Sequence, residues 1–139
     1  MVVEHQIKMA ARQNSCMLKG TLLAESLRPG ADLRVAGLQV TQVSRKDVTG
    51  SVSAAQPPIW TFLNFEADDD VAEPLAQSLS DSLLVDGGWY ADFTVGTDHV
   101  VVFADKIFRY RRSDQVGRAA AVEYGRTVGV PDHQLDWND

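Results

Sequence analysis

WYADFTVGTDHVVVFADKIFRYRR, residues 89–112, is the stretch whose reading decides the fold. It is rich in β-branched and aromatic residues, which suit a pleated, half-buried surface. Turn signals interrupt it at Gly96-Thr97-Asp98 and at Asp105-Lys106, so it predicts a meander of three antiparallel strands. Side chains alternate across a strand, and the register of each turn therefore decides which residues share a face. A second turn with Asp105 and Lys106 as its central pair sets Ala104 opposite Ile107, Phe103 opposite Phe108, Val102 opposite Arg109 and Val101 opposite Tyr110. A three-residue first turn sets Val95 opposite His99 and Phe93 opposite Val101.

One face then holds Trp89, Ala91, Phe93, Val95, Val101, Phe103, Phe108 and Tyr110, and the helices are expected to cover it. The other holds Tyr90, Asp92, Thr94, Val100, Val102, Ala104, Ile107, Arg109 and Arg111. A two-residue first turn would move Asp92 onto the aromatic face, where an unpaired carboxylate costs several kcal/mol. The three-residue turn is the expectation for that reason.

Working outward, DDDVAEPLAQSLSDSLL (68–84) predicts a helix with Asp70 as N-cap and Glu73 three residues on. Pro74 falls in the first turn, where a missing N–H does least harm. Val71, Leu75, Leu79 and Leu83 form one apolar stripe, and Asp86-Gly87-Gly88 ends the helix. SDQVGRAAAVEYGRTVG (113–129) predicts a second helix capped by Ser113, with Pro131 just beyond its end. Nearer the N-terminus, two strands are expected around the turn Arg28-Pro29-Gly30. Thr49 to Pro58 is a Gly, Ser, Ala and Pro-rich loop, followed by the aromatic strand IWTFLNFEA.

The order is βββα–βββα. It predicts an α+β fold: an antiparallel sheet of about six strands with both helices packed on one face. Residues 1–16 are expected as an N-terminal extension, helical or disordered, ahead of a single α+β domain over residues 17–139.

The chain has 139 residues, 45% of them hydrophobic and 23% charged, the balance of a globular protein. Its net charge of −6 argues against nucleic acid, whose binding relies on Lys and Arg neutralising phosphates. The single cysteine, Cys16, leaves no intrachain disulfide and no Cys-based metal site. No apolar run is long enough to span a membrane, and the N-terminus lacks the apolar stretch of a secretion signal, so a cytoplasmic location is expected.

Candidate chemistry is sparse. The acidic run Glu66, Asp68, Asp69, Asp70 lacks the Gly and distal Glu of a calcium loop, and it stabilises a helix N-terminus without metal. His99 and Asp98 are strand neighbours and point to opposite faces. His133 and Asp136 form no ligand set, GSVSA (50–54) only resembles a nucleophile elbow, and no phosphate-binding loop occurs. No metal and no cofactor is expected. What remains is the mixed face: Arg109 and Arg111 suit a carboxylate or phosphate, with Tyr90 and Asp92 beside them.

The expectation is therefore a non-catalytic binding or regulatory protein, a small acidic homodimer using an open sheet face for a protein partner. In architecture alone it resembles small acidic secretion chaperones. The alternative is a protein or enzyme that holds a small anion in a pocket of Arg109, Arg111, Tyr90 and Asp92.

Overall fold

The computed structural model describes residues 17–137. The expected extension over residues 1–16, with Cys16, lies outside them. The chain forms six antiparallel strands: β1 (Met17–Leu23), β2 (Gln39–Asp47), β3 (Ile59–Asp68), β4 (Ala91–Val95), β5 (Asp98–Phe103) and β6 (Lys106–Arg111). Helix α1 (Ala72–Ser82) follows β3, and α2 (Gln115–Thr127) follows β6. The strands lie in one open sheet in the order β2-β3-β1-β4-β5-β6. This is an α+β fold with the predicted βββα–βββα order. Among the described residues no helix is long and apolar enough to cross a membrane.

The first turn of the meander departs from expectation. Val95 pairs with Asp98, Thr94 with His99 and Phe93 with Val100, which is a two-residue turn through Gly96 and Thr97. Gly96 has φ +57°, and positive φ at the first central position matches the twist of the flanking strands. That single-residue difference moves all of β4 to the other face relative to β5. The second turn is also displaced: Phe103 pairs with Lys106 and Val102 with Ile107, around Ala104 and Asp105. That slip changes the pairing by two, so the face assignments of β5 and β6 survive it.

The expected placement of both helices on one face is corrected. α1 covers the face bearing Val100 and Val102, with Leu75 and Leu79 packed among Leu18, Leu22, Phe65, Phe93 and Val95. α2 covers the opposite face at the β5–β6 end, where Ala121 joins Val101, Phe103, Tyr110, Val130 and Leu135. Both faces of β5 are therefore buried, as its unbroken run Val100-Val101-Val102-Phe103 requires. The face expected to be open around Val102 lies under α1.

Smaller differences follow local hydrogen bonding. A 3-10 turn, Asp69–Val71, leads into α1, and no side chain caps that helix, so Asp70 does not play the expected role. α2 is capped by Asp114, not Ser113: its carboxylate accepts from the Gly117 N–H at 3.0 Å. The Arg28-Pro29-Gly30 turn forms, with Ala31 N–H donating to the Arg28 carbonyl. No strand follows it directly. Leu33, Val35 and Leu38 instead pack against the first core, and β2 begins at Gln39.

Candidate functional site

The strand register brings together a polar chain that the expected pairing had separated. On the α2 face, Asp92 of β4 lies diagonal to His99 of β5, and His99 pairs with Tyr110 of β6. His99 Nε2 is 2.8 Å from Asp92 Oδ2, and Nδ1 is 2.7 Å from the Tyr110 hydroxyl. A carboxylate oxygen only accepts, so Nε2 carries a proton, and in the neutral ring the Tyr110 hydroxyl donates to Nδ1. His99 is 2% exposed, whereas the Asp92 side chain is 34% exposed. A buried imidazole thus orients a carboxylate that still reaches the surface.

That carboxylate borders a cavity of about 350 Å³. Trp60 and Phe62 come from β3, Thr21 and Leu23 from β1, and Trp89 and Tyr90 from the segment entering β4. Strand alternation puts Trp60, Phe62, Thr21 and Asp92 on one face. The Gly87-Gly88 bend, with φ +103° and +70°, turns Trp89 toward Trp60, their ring centroids 5.6 Å apart. Ser51, His133 and Gln134 close the remaining side. Gln134 donates to the Ser51 carbonyl and to Gln56 Oε1, and Gln56 donates to the carbonyls of Gly87 and Gly88. The loop after β2 and the C-terminal segment are thereby tied to the cavity wall.

Tyr90 donates its hydroxyl proton to the Gln134 carbonyl at 2.6 Å and accepts from Trp137 Nε1 at 3.3 Å. Burial, and then the nearby Asp92 charge, push its phenol up to about 12 from 10.0. The folded state holds that proton more tightly than the unfolded chain does. The stability it adds is complete below pH 10 and is lost as pH rises through about 12. The loss amounts to about 2–3 kcal/mol. Urea unfolding across this range should show it, and Tyr90→Phe should flatten the alkaline slope. An equal slope in both proteins would remove Tyr90 as its source.

The four residues expected to share one pocket divide into two pairs. Tyr90 and Asp92 line the cavity on the α2 face. Arg109 pairs in register with Val100 and Arg111 with Asp98, which sets both arginines on the α1 face. The Arg109 Nε donates to Asp98 Oδ2 at 2.8 Å, beside Ala72, Glu73 and Ala76 at the edge of α1. Arg111 is exposed on the edge strand. Arg109 and Asp92, expected side by side on one face, occupy opposite faces.

Sequence reasoning missed His99, Tyr110, Trp60 and Phe62. The signal for the first two was available: a Gly-Thr two-residue turn sets Asp92 diagonal to His99, which supplies the partner that an aromatic face appeared to lack. Trp60 and Phe62 needed the β3-β1-β4 strand order, which no local pattern encodes.

A larger cavity of about 530 Å³ lies on the α1 face beneath residues 33–38. It is lined by Leu22, Leu63, Phe65, Leu75 and Leu79, and its one charged group, Arg34, already holds Asp32. It has volume but few groups that would orient a ligand. Among the described residues no cluster of His, Cys, Asp and Glu is arranged to hold a metal ion. No protein family, curated protein or solved structure matches this chain.

Proposed function

We propose that this protein is a non-catalytic binding protein that holds a small molecule in the aromatic cavity of the α2 face. The observation that carries this reading is convergence. Trp60, Phe62, Trp89 and Tyr90 wall a space of about 350 Å³, into which one oriented carboxylate opens. An apolar concavity with few placed polar groups is the usual form of a small-ligand site. Two features support binding over catalysis. Both ring nitrogens of His99 are engaged inside the protein, and the hydroxyl of Tyr90 donates to a backbone carbonyl. The geometry does not favour the anion pocket, since Arg109 and Arg111 lie on the other side of the sheet.

A second reading, the homodimer, draws support from β2. This nine-residue edge strand exposes Val40 (54%) and Val43 (61%) on the α1 face, and such edges are templates for pairing with another chain. Native mass spectrometry of the gently purified full chain addresses both readings. A mass increment of small-molecule size, lost in Thr21→Phe, is the expected result for the cavity, because the larger ring fills it. A dimer mass that reverts to monomer in Val43→Lys is the expected result for the edge. If no increment survives and no small-molecule fragment alters tryptophan fluorescence, the binding reading fails.

A further inference from the structure

The cavity's chemistry also specifies the charge of what it takes. We infer that the ligand is a small organic cation, an ammonium group on a compact apolar body, with the ammonium against Asp92 and the body against Trp60, Phe62 and Trp89. This rests on the cavity being a binding site and adds the substrate class.

Charge balance is the first argument. Among the described residues lining the cavity there is no Lys or Arg, and Asp92 is the one carboxylate. His133, the other titratable base there, is exposed and donates Nε2–H to the Ser51 carbonyl at 2.7 Å. Asp92 is held by the buried His99 through Oδ2 alone, which leaves Oδ1 outside that bond. A carboxylate fixed in place before the ligand arrives loses little freedom on binding. The chain's net charge of −6 attracts cations and repels anions at longer range.

Hydrogen-bond direction is the second argument. An anion needs donors, and several of the side-chain donors here are already committed. Thr21 donates to Asn64 Oδ1, Trp60 Nε1 to the Pro57 carbonyl, and Tyr90 to the Gln134 carbonyl. The Gln134 amide donates to Ser51 and Gln56. A neutral phenol at Tyr90 adds no charge, because burial keeps it protonated well above neutral pH. An ammonium needs acceptors and π faces, which the cavity retains.

The third argument is a cation already in place. Lys46 Nζ of β2 lies 5.1 Å from the centroid of the Phe62 ring. The aromatic wall thus attracts an ammonium through its ring quadrupole, and the chain itself already holds one against Phe62. A ligand cation at the Asp92 end would experience repulsion from Lys46, so removing that side chain should strengthen cation binding and weaken anion binding.

Benzylammonium, benzyl alcohol and benzoate share one body and differ in charge, which makes them the probes. With the full chain, isothermal titration should show benzylammonium binding about tenfold more tightly than benzyl alcohol, and benzoate more weakly than either. In Asp92→Asn, benzylammonium should fall to the affinity of benzyl alcohol. The amide oxygen can still accept from His99, so the fold should be retained, which circular dichroism checks. Lys46→Gln, an exposed substitution, should raise benzylammonium affinity several-fold even if Asp92→Asn misfolds. If benzyl alcohol or benzoate binds as well as the ammonium, and Lys46→Gln leaves the cation unchanged, the charge assignment is overturned while the cavity stands. If none of the three binds and no other fragment does, the cavity reading falls too.

Discussion

Phe103→Ala is expected to lower the unfolding free energy by about 3–5 kcal/mol. Phe103 is 1% exposed on β5 and carries the packing between the sheet and α2. Its ring lies 6.0 Å from those of Tyr90 and Phe108 and 5.0 Å from Tyr124. These neighbours come from the segment before β4, from β6 and from α2, so they cannot all move inward to fill the space left by the ring. The cost should therefore include a cavity as well as lost transfer energy. The Ser80 hydroxyl bond to the Phe103 carbonyl involves only backbone on the strand side and should persist. Urea unfolding followed by circular dichroism measures the change. A loss below about 1 kcal/mol, the size of an ordinary surface effect, would mean that α2 does not pack on this face.

Gly20→Ala is expected to cost about 3 kcal/mol through overpacking. β1 lies between β3 and β4, so its backbone has no direction in which to yield. A Cβ at residue 20 would lie 2.5 Å from Phe93 Cβ and 2.6 Å from Phe65 Cζ, and would also meet the Asp92 carbonyl oxygen. Phe65 and Phe93 meet edge to face across this glycine, with centroids 6.4 Å apart. The requirement is for space and not for an unusual φ. Gly50 is the control, because nothing lies within 4 Å of a Cβ placed there. Gly50→Ala should change stability by less than about 0.5 kcal/mol. Equal thermal midpoints for the two variants would contradict the close approach of β1 to β4.

The register of β4 against β5 shows where a sequence argument reaches its limit. Rejecting the two-residue turn rested on the penalty for burying an unpaired Asp92. The penalty is real, but His99 removes its premise by hydrogen bonding to that carboxylate. In the chain His99 sits beside Asp98, which drew attention to a pair that strand geometry forbids. Asp98 instead meets Arg109, the residue expected beside Asp92. One residue of register moved Asp92 onto the face of His99 and off that of Arg109, because side chains on a strand repeat every second position. The two-position slip at Asp105 kept every face for the same reason, but it moved Arg109 opposite Val100 and so beside Asp98.

Local chemistry was a sufficient guide to the elements themselves. The stripe Val71, Leu75, Leu79, Leu83 located α1, alternation and β-branched runs located the strands, and glycine and proline located the breaks. These features act over a few residues, and each is encoded where it is used. The βββα–βββα order and the α+β class follow from them.

The sequence by itself therefore determined which segments are strands and helices, and the acidic charge. Only the tertiary structure decided that the helices take opposite faces, that β1 lies between β3 and β4, and that Trp60, Phe62, Trp89 and Asp92 meet around one cavity. The physical reason is range. A helix stripe or a turn is stabilised by neighbours in the chain, whereas a cavity wall from β1, β3, β4 and the C-terminal segment depends on strand pairings between distant residues, and its chemistry depends on a register that one inserted residue reverses.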